Sequence, residues 1–328
     1  MRQKVLITGA SGFLGYHLIN AAVANNMEVY AAIRKSSNVK HLQHLPINYT
    51  VLNYADVEGL IKIFADLQFD YVIHAAGTTK ANTEKEYELV NNTYTQNLAQ
   101  AAAKNKGQVK RFVFISSLAA AGPLKSGTHK IAEDTLPLPV TAYGKSKLNA
   151  EIYLKKLEIP VTIFRPTAIY GPREKDIFIV TQYLNKGFEP YIGRFSQTLS
   201  FVYAKDMAEI AVKVLRQADA NGTYNIADGN EYSRYAYADI VKNILGKKSL
   251  RIHLPVAVVK TILFILEKIS KSINKVPAVS NEKLQELMAE NWSCDISKAK
   301  QELGFVPVYD LQHGLEESVE WYKKNNWL

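Results

Sequence analysis

Thr8-Gly9-Ala10-Ser11-Gly12-Phe13-Leu14-Gly15 follows the apolar run Val5-Leu6-Ile7 and opens a helical pattern that reaches Ala24. A strand, a glycine-rich turn and a helix in that order are the context in which such glycines acquire meaning. Missing side chains let the backbone approach a pyrophosphate, and the helix N-terminus supplies N–H donors with positive partial charge. The spacing, Gly-x-x-Gly-x-x-Gly, is one residue longer at the front than the Gly-x-Gly-x-x-Gly fingerprint. The same turn without a ligand would be a plain strand-to-helix connection, so a second signal is needed.

That signal is Tyr143 with Lys147, in Ala142-Tyr143-Gly144-Lys145-Ser146-Lys147. On a helix, positions i and i+4 share a face about 6 Å apart. The Lys147 ammonium is therefore expected to bias the Tyr143 phenol toward phenolate, because a nearby cation favours the charged form. Outward from these motifs, short apolar runs alternate with helical patterns. Strands are expected at Val5 to Thr8, Val29 to Ile33, Tyr49 to Leu52, Tyr71 to Ala75, Phe112 to Ser116 and Val161 to Phe164. Helices are expected at Phe13 to Ala24, Asp56 to Leu67, Glu84 to Lys104 and Ala142 to Leu157. Strands separated by helices of this length imply a doubly wound α/β fold with a parallel sheet.

The pattern changes after Gly171-Pro172. Residues 1–172 read as a dinucleotide-binding domain, to which 199–229 return with strands at Ser200 to Tyr203 and Thr223 to Ile226. Residues 173–198 and 230–328 read as a smaller, helix-rich substrate lobe over the strand ends. The 328 residues carry 22% charged residues and a net charge of +9, without a run of five like charges. Scattered lysines argue against nucleic acid and allow an anionic cofactor or membrane surface. The single cysteine, Cys294, excludes an internal disulfide and any multi-cysteine metal site, and no metal is expected. With the first strand starting by Lys4, no signal peptide is expected and the protein reads as cytoplasmic.

Together with His74-Ala75-Ala76-Gly77, Ser116-Ser117, Arg165-Pro166 through Tyr170-Gly171-Pro172, and Asp295 to Phe305, these motifs stand in the order of a known family. The chain resembles an extended short-chain dehydrogenase/reductase, over most of its length. The resemblance implies a Rossmann sheet and a hydride-transfer site: Tyr143 as general acid/base, Ser117 holding the substrate oxygen, Lys147 on the nicotinamide ribose and Asn91 supporting the geometry. It also implies cofactor contacts from Gly9, Ser11, Gly12, Phe13, Leu14 and Gly15, from Asn53 and Tyr54, and from Ala75, Ala76 and Gly77. Ser116, Pro166, Thr167 and Ile169 complete that set, and Thr79, Lys80, Tyr170 and Tyr203 are expected with Ser117 around the substrate.

At the adenine end Arg34-Lys35 follow the second strand, where an acidic residue would bind a ribose hydroxyl. A guanidinium there suits a 2′-phosphate, so NADP(H) is expected in preference to NAD(H). Asn53 stands where relatives commonly carry Asp for the adenine amine, and Asp56 reads as a helix N-cap.

Within the family, Leu118-Ala119 after Ser117 nearly exclude a dehydratase, which needs an acid there. Thr167 and Leu199 replace the Asn and Arg that meet a sugar diphosphate, leaving two phosphates poorly compensated. The pattern is closest to the 3β-hydroxysteroid dehydrogenase and dihydroflavonol reductase branch. The expected activity is thus reduction of a hydrophobic ketone, of steroid, long-chain keto-base or flavonoid-like skeleton, or the reverse oxidation. The alternatives are a nucleotide-sugar 4-epimerase with retained NAD, and a non-catalytic dinucleotide-binding regulator, which the intact Ser117, Tyr143 and Lys147 disfavour. A homodimer through the two long helices is expected, with Tyr87, Val90, Tyr94 and Leu98 as a stripe that serves a partner or the sheet. The segment from Pro255 to Pro277 is too short and charged for a membrane span. It reads either as a buried helix over the pocket or as one touching a membrane through Lys268, Lys271 and Lys275.

Overall fold

The alternation of short apolar runs with helical patterns becomes β1 (Lys4–Thr8), α1 (Phe13–Ala24), β2 (Glu28–Ile33), β3 (Asn48–Val51), α2 (Val57–Leu67) and β4 (Tyr71–His74) in a computed structural model. It describes residues 2–105, 107–125, 127, 129–272 and 281–328, with backbone only for 266–272 and 281–282. The chain continues through α3 (Glu84–Tyr87), a π-helical turn (Glu88–Thr93), α4 (Tyr94–Lys104), β5 (Arg111–Ile115), α5 (Ala142–Leu154) and β6 (Val161–Pro166). Then come β7 (Ala168–Tyr170), α6 (Phe178–Asn185), β8 (Phe188–Ile192), β9 (Thr198–Leu199), β10 (Phe201–Tyr203), α7 (Ala204–Lys213) and β11 (Gly222–Ile226).

Seven strands form one parallel sheet in the order β11-β6-β5-β4-β1-β2-β3. Its faces separate by the two-residue period of a strand. Val5, Ile7, Ile73, Val113 and Ile115 pack on the side of α1 and α7, while Leu6, Val72, Phe112, Phe114 and Ile163 pack against α2, α4 and α5. Strands β4 and β5 are buried throughout, as parallel strands covered by helices on both faces must be. Of the two strands expected to return to the sheet, only β11 does; β10 pairs with β7 in a separate ribbon.

The remaining chain holds β12 (Tyr232–Ser233), α8 (Ala236–Leu245), β13 (Leu250–Leu254), α9 (Val256–Ser272), α10 (Asn281–Met288), β14 (Asn291–Trp292), α11 (Ser297–Leu303) and α12 (Leu311–Lys324). Its core joins Tyr170, Tyr203, Phe201 and Tyr237 to Leu311 and Leu315. The expected helix from Glu84 to Lys104 is broken into three pieces by the π-helical turn, and the helix after Tyr143 ends at Leu154.

Gly314 of α12 lies directly on Tyr170, where a Cβ would stand 2.1 Å from the phenol oxygen. That oxygen donates to the Asp310 carbonyl at 2.9 Å, so the ring is held from both sides. Gly314→Ala gains helix propensity but overpacks this contact, and a net loss of about 1–3 kcal/mol is expected. Urea unfolding checks it; an unchanged or raised midpoint would refute the contact's rigidity.

Candidate active site

Thr8, His74, Phe114 and Ile163 form one row across β1, β4, β5 and β6, so Ser116 and Pro166, two and three residues further on, share the C-terminal edge of the sheet with Thr8 and His74. Ligands of open parallel sheets bind beyond such an edge. At β1 the turn is built for close approach. Gly9 has φ +67°, and a Cβ there would lie 2.6 Å from the Ala75 carbonyl oxygen. A Cβ on Gly15 would lie 2.2 Å from Gly9 O, so helix α1 can approach β1 only with glycine there. Gly12 is the helix N-cap and has no side-chain cap, which leaves the first-turn N–H groups facing outward with Ser11, Phe13 and Leu14. A cradle that side chains would fill, beneath an uncapped helix start, fits a dinucleotide pyrophosphate.

Beneath this turn a hydrogen-bonded chain fixes the neighbouring loop. Thr95 Oγ1 donates to the Asn91 carbonyl at 2.7 Å and so accepts from His74 Nε2 at 2.9 Å. His74 Nδ1 then accepts from Thr8 Oγ1 at 2.7 Å, and Thr8 Oγ1 accepts from the Ala76 N–H at 3.0 Å. Burial, helped by the Lys147 charge, drives His74 down to about 3, so the imidazole is neutral. Sequence reading gave His74 only as part of a motif; here it ties Ala75-Ala76-Gly77 to the sheet.

Asn91 is fully buried within the π-helical turn, a device often found at functional sites. Its Oδ1 accepts from Thr78 N at 2.8 Å, and its Nδ2 donates to Thr78 O and to Ser146 Oγ, both at 3.0 Å. Asn91 thereby joins the Gly77 loop to helix α5. A Cβ on Gly77 would sit 3.0 Å from Asn91 Oδ1 and 3.3 Å from Lys147 Nζ, so the loop lies on both side chains.

Tyr143 and Lys147 stand on the first turns of α5, whose N-cap Thr141 accepts from Gly144 N at 3.1 Å. Gly144 was not singled out by sequence, yet a Cβ there would come 2.3 Å from the Ala119 carbonyl oxygen. This contact seats the turn after Ser117 against the start of α5 and holds Ser117 beside Tyr143. Lys147 Nζ donates to the Ile115 carbonyl at 2.9 Å and lies 4.7 Å from the Phe114 ring centroid. Burial pulls its pKa down to about 8, with Glu151 acting in the opposite direction.

Tyr143 is itself largely buried. Burial pushes its phenol up to about 12; a hydrogen bond with Ser117 lowers it, while the Glu286 carboxylate of α10 and Tyr87 raise it further. The Lys147 ammonium is held on the Ile115 carbonyl one turn along the same helix. Ser116 differs from its expected part: its hydroxyl donates inward to Glu151 Oε1 at 2.5 Å. Glu151 in turn accepts from Arg165 Nη2 at 2.7 Å and from Arg165 Nε at 3.1 Å, with both side chains buried. Sequence reading missed Glu151, although it lies one turn beyond Lys147 on the same face.

Tyr170 and Tyr203, expected around the substrate, are core residues of the smaller lobe, 2% and 0% exposed and 5.4 Å apart by ring centroid. Thr79 and Lys80 are exposed beside the Gly77 loop, where Lys80 pairs with Asp176 at 2.6 Å and Thr79 O accepts from Tyr87. At the adenine end Arg34 and Lys35 are exposed at the tip of β2, and the Arg34 charge reaches the Tyr54 phenol. Asn53 Oδ1 accepts from Ala55 N at 3.2 Å, so part of its capacity closes its own turn. Asp56 caps α2 as expected, accepting from Gly59 N at 2.9 Å. Thr167 N donates to Ile226 O at 3.1 Å, and Ile169 lies on β7, next to Pro166 at the end of β6.

Comparison with known proteins agrees with this geometry. The chain is 27% identical over 334 residues to the N-acetyl-alpha-D-glucosaminyl-diphospho-ditrans,octacis-undecaprenol 4-epimerase of Escherichia coli, covering 98% of this chain and 96% of that protein. It is 25% identical over 332 residues to a ceramide reductase of Caulobacter vibrioides, covering 100% of this chain and 96% of that protein. Among solved structures, a UDP-glucose 4-epimerase of Thermotoga maritima with UDP-glucose superposes with a TM-score of 0.82 at 21% identity, covering 99% of this chain and all of that one. Residues 5–227 match the sequence model of one family, and the chain belongs to it: the NAD-dependent epimerase/dehydratase family.

Proposed function

We propose that the protein is an NADP(H)-dependent oxidoreductase interconverting a hydrophobic ketone and its secondary alcohol. The observation that carries this reading is the site's makeup: Ser117 and Tyr143 share a hydrogen bond, Lys147 is buried beside them, and Leu118, Ala119 and Ala120 follow Ser117 as buried apolar residues. None of these three is an acid placed after Ser117 for eliminating water. Other features disfavour a sugar diphosphate. Leu199 occupies β9, Thr167 directs its N–H and hydroxyl to Ile226 O, and the Arg234 guanidinium donates to the carbonyls of Ile192 and Phe195. The similarity to a ceramide reductase agrees with a long-chain substrate.

When bound, the nicotinamide supplies or accepts the hydride at the carbonyl carbon. Tyr143, protonated at neutral pH, donates its proton to the carbonyl oxygen during reduction and regains one from solvent. Ser117 holds that oxygen within reach. Lys147 contributes its ammonium to the nicotinamide ribose, and Asn91 keeps the Gly77 loop and α5 in register. Because the Lys147 value lies near 8, cofactor affinity is expected to be level below neutral pH and to weaken as pH rises through that value.

Purified protein is expected to consume NADPH with long-chain or polycyclic ketones, and to leave nucleotide sugars unchanged. Tyr143→Phe should lower turnover about 10²–10⁴-fold with cofactor affinity nearly intact, whereas Lys147→Ala should damage both. NADPH oxidation and fluorescence titration read these out. Near-normal turnover by Tyr143→Phe would refute the assignment, and inversion of a nucleotide sugar without net cofactor use would establish the epimerase instead.

The NADP(H) preference rests on Arg34. Arg34→Ala should weaken NADPH binding about 10- to 150-fold, the range of a charge-assisted contact, and leave NADH binding almost unchanged. Equal losses would show that Arg34 never meets a 2′-phosphate.

A homodimer through the two long helices is part of the same reading, with a change of residues. The expected stripe is engaged within the chain: Leu98 is in the core, Tyr94 stacks on Tyr54 at 5.8 Å, and Tyr87 meets Tyr143 at 6.3 Å. Leu89 and Ile152 are the apolar residues these helices expose. Light scattering should give twice the 36.8 kDa chain mass at micromolar concentration, and a value near the monomer would remove this part.

A further inference from the structure

The smaller lobe contains a ribbon folded the wrong way round for water. Strands β8 and β13 pair in parallel, with Phe188 opposite Leu250, Pro190 opposite Ile252 and Ile192 opposite Leu254. Residues two apart share a face, so these six form one apolar surface. The alternate residues, Glu189, Tyr191, Arg251 and His253, form the other face. On that face Glu189 is turned inward, Tyr191 and His253 are half-buried, and Arg251 reaches the surface. Glu189 is 2% exposed and accepts from Lys242 at 2.9 Å, Ser249 at 2.7 Å and Arg251 at 2.7 Å. Most of the apolar face is turned outward: Phe188, Pro190, Leu250 and Leu254 are exposed, Phe188 by 50% and Leu250 by 64%, while Ile192 and Ile252 are half-buried. Directly after Pro255, helix α9 continues the same surface with Val258 and Ile262, 46% and 48% exposed.

For the described part of α9 this removes the buried-helix reading. Lys268 and Lys271 by their side chains, and Lys275 altogether, lie outside the described residues. Among those residues, no helix is long and apolar enough to cross a membrane.

We propose that the outward face of the β8–β13 ribbon docks on an anionic lipid bilayer. An exposed apolar face of this extent calls for an apolar partner. The charges at its borders select which one. Lys186, Lys247 and Lys248 are exposed at one end, and Arg194 and Lys260 at the other. From Lys186 to Arg194 and from Lys247 to Ile265 the sole carboxylate is Glu189, which is turned inward and paired. A second copy placed on this face would bring like charges together, whereas anionic headgroups neutralise them while the apolar residues enter the interface. Helix α9 packs on α10, whose Glu286 acts on the Tyr143 phenol, so docking would set the catalytic mouth close to the lipid. That last consequence rests on the proposed function; the docking itself stands on the ribbon.

Co-sedimentation of the full chain with vesicles tests it without reference to activity. Phosphatidylcholine vesicles carrying about a third phosphatidylglycerol should bind the protein at low salt, and release it at high salt where screening shortens the reach of each charge. Pure phosphatidylcholine should bind far less. Lys247→Ala with Lys248→Ala should reduce partitioning roughly 10- to 30-fold, and Phe188→Ser with Leu250→Ser at least about tenfold. All four side chains are exposed, so circular dichroism should show unchanged unfolding midpoints. Absence of binding to the anionic vesicles at low salt overturns the proposal. Full binding by a folded Phe188→Ser, Leu250→Ser protein does the same. If that pair instead reduces the mass of a lipid-free oligomer, the face is an interface between copies and the bilayer reading is wrong. A substrate-panel failure with vesicle binding intact would refute only the activity.

Discussion

The ion pair between Glu151 and Arg165 is the constraint on which the site depends. It joins α5 to β6 inside the protein, and Ser116 at the end of β5 gives the carboxylate a further hydrogen bond. Three elements that carry or adjoin the proposed catalytic residues are thus fixed to one carboxylate. Burying two charges is costly, and the pair offsets that cost only while its partners are all in place. Removing one partner from such a pair typically costs about 3–5 kcal/mol, because it leaves an uncompensated charge behind. Lys147, one helical turn before Glu151, inherits both position and charge from this arrangement. Burial favours its neutral form, and the Glu151 carboxylate counters that.

The parts of the fold that follow from local pattern were readable in the chain. The glycine turn, the six core strands expected from the N-terminal half and the Tyr143–Lys147 pair all lie at or within a few residues of their expected places, since they depend on short-range sequence signals. What was not readable depends on contacts between distant segments. The π-helical turn is not visible in the spacing of Tyr87, Val90, Tyr94 and Leu98, whose steps of three and four residues also fit an unbroken α-helix. Gly144 looks like a poor helix residue until Ala119 O is found against it. Spacing put Lys147 on the Tyr143 face, but could not say that Ile115 O would take its ammonium. Tyr170 and Tyr203 carry hydroxyls that suit a substrate equally well in sequence; only the packing of α12 puts them in the core.

The β8–β13 ribbon shows the same limit in another form. A two-residue apolar period says that alternate residues share a face, and it is silent on which face is covered. Here the charged Glu189 is the covered residue, while Phe188 and Leu250 of the apolar face are exposed. Glu189 is held by Arg251 across the ribbon and by Lys242 of α8, ion pairs made within the lobe. The smaller lobe combines an acidic residue, Glu286, near the Tyr143 phenol with an apolar, cation-bordered exterior. The family's fold hosts several chemistries, and we propose that this lobe supplies the chain's own specificity.

The central claim is that hydride passes between the cofactor and a released apolar product, with Tyr143 moving the proton. Incubation with a long-chain ketone and NADPH deuterated at the transferable position tests it most directly. The account predicts one deuterium on the carbinol carbon of each released alcohol, with one cofactor oxidised per turnover. Deuterium that stays with the protein while a sugar stereocentre inverts, and no net oxidation of the cofactor, would contradict it.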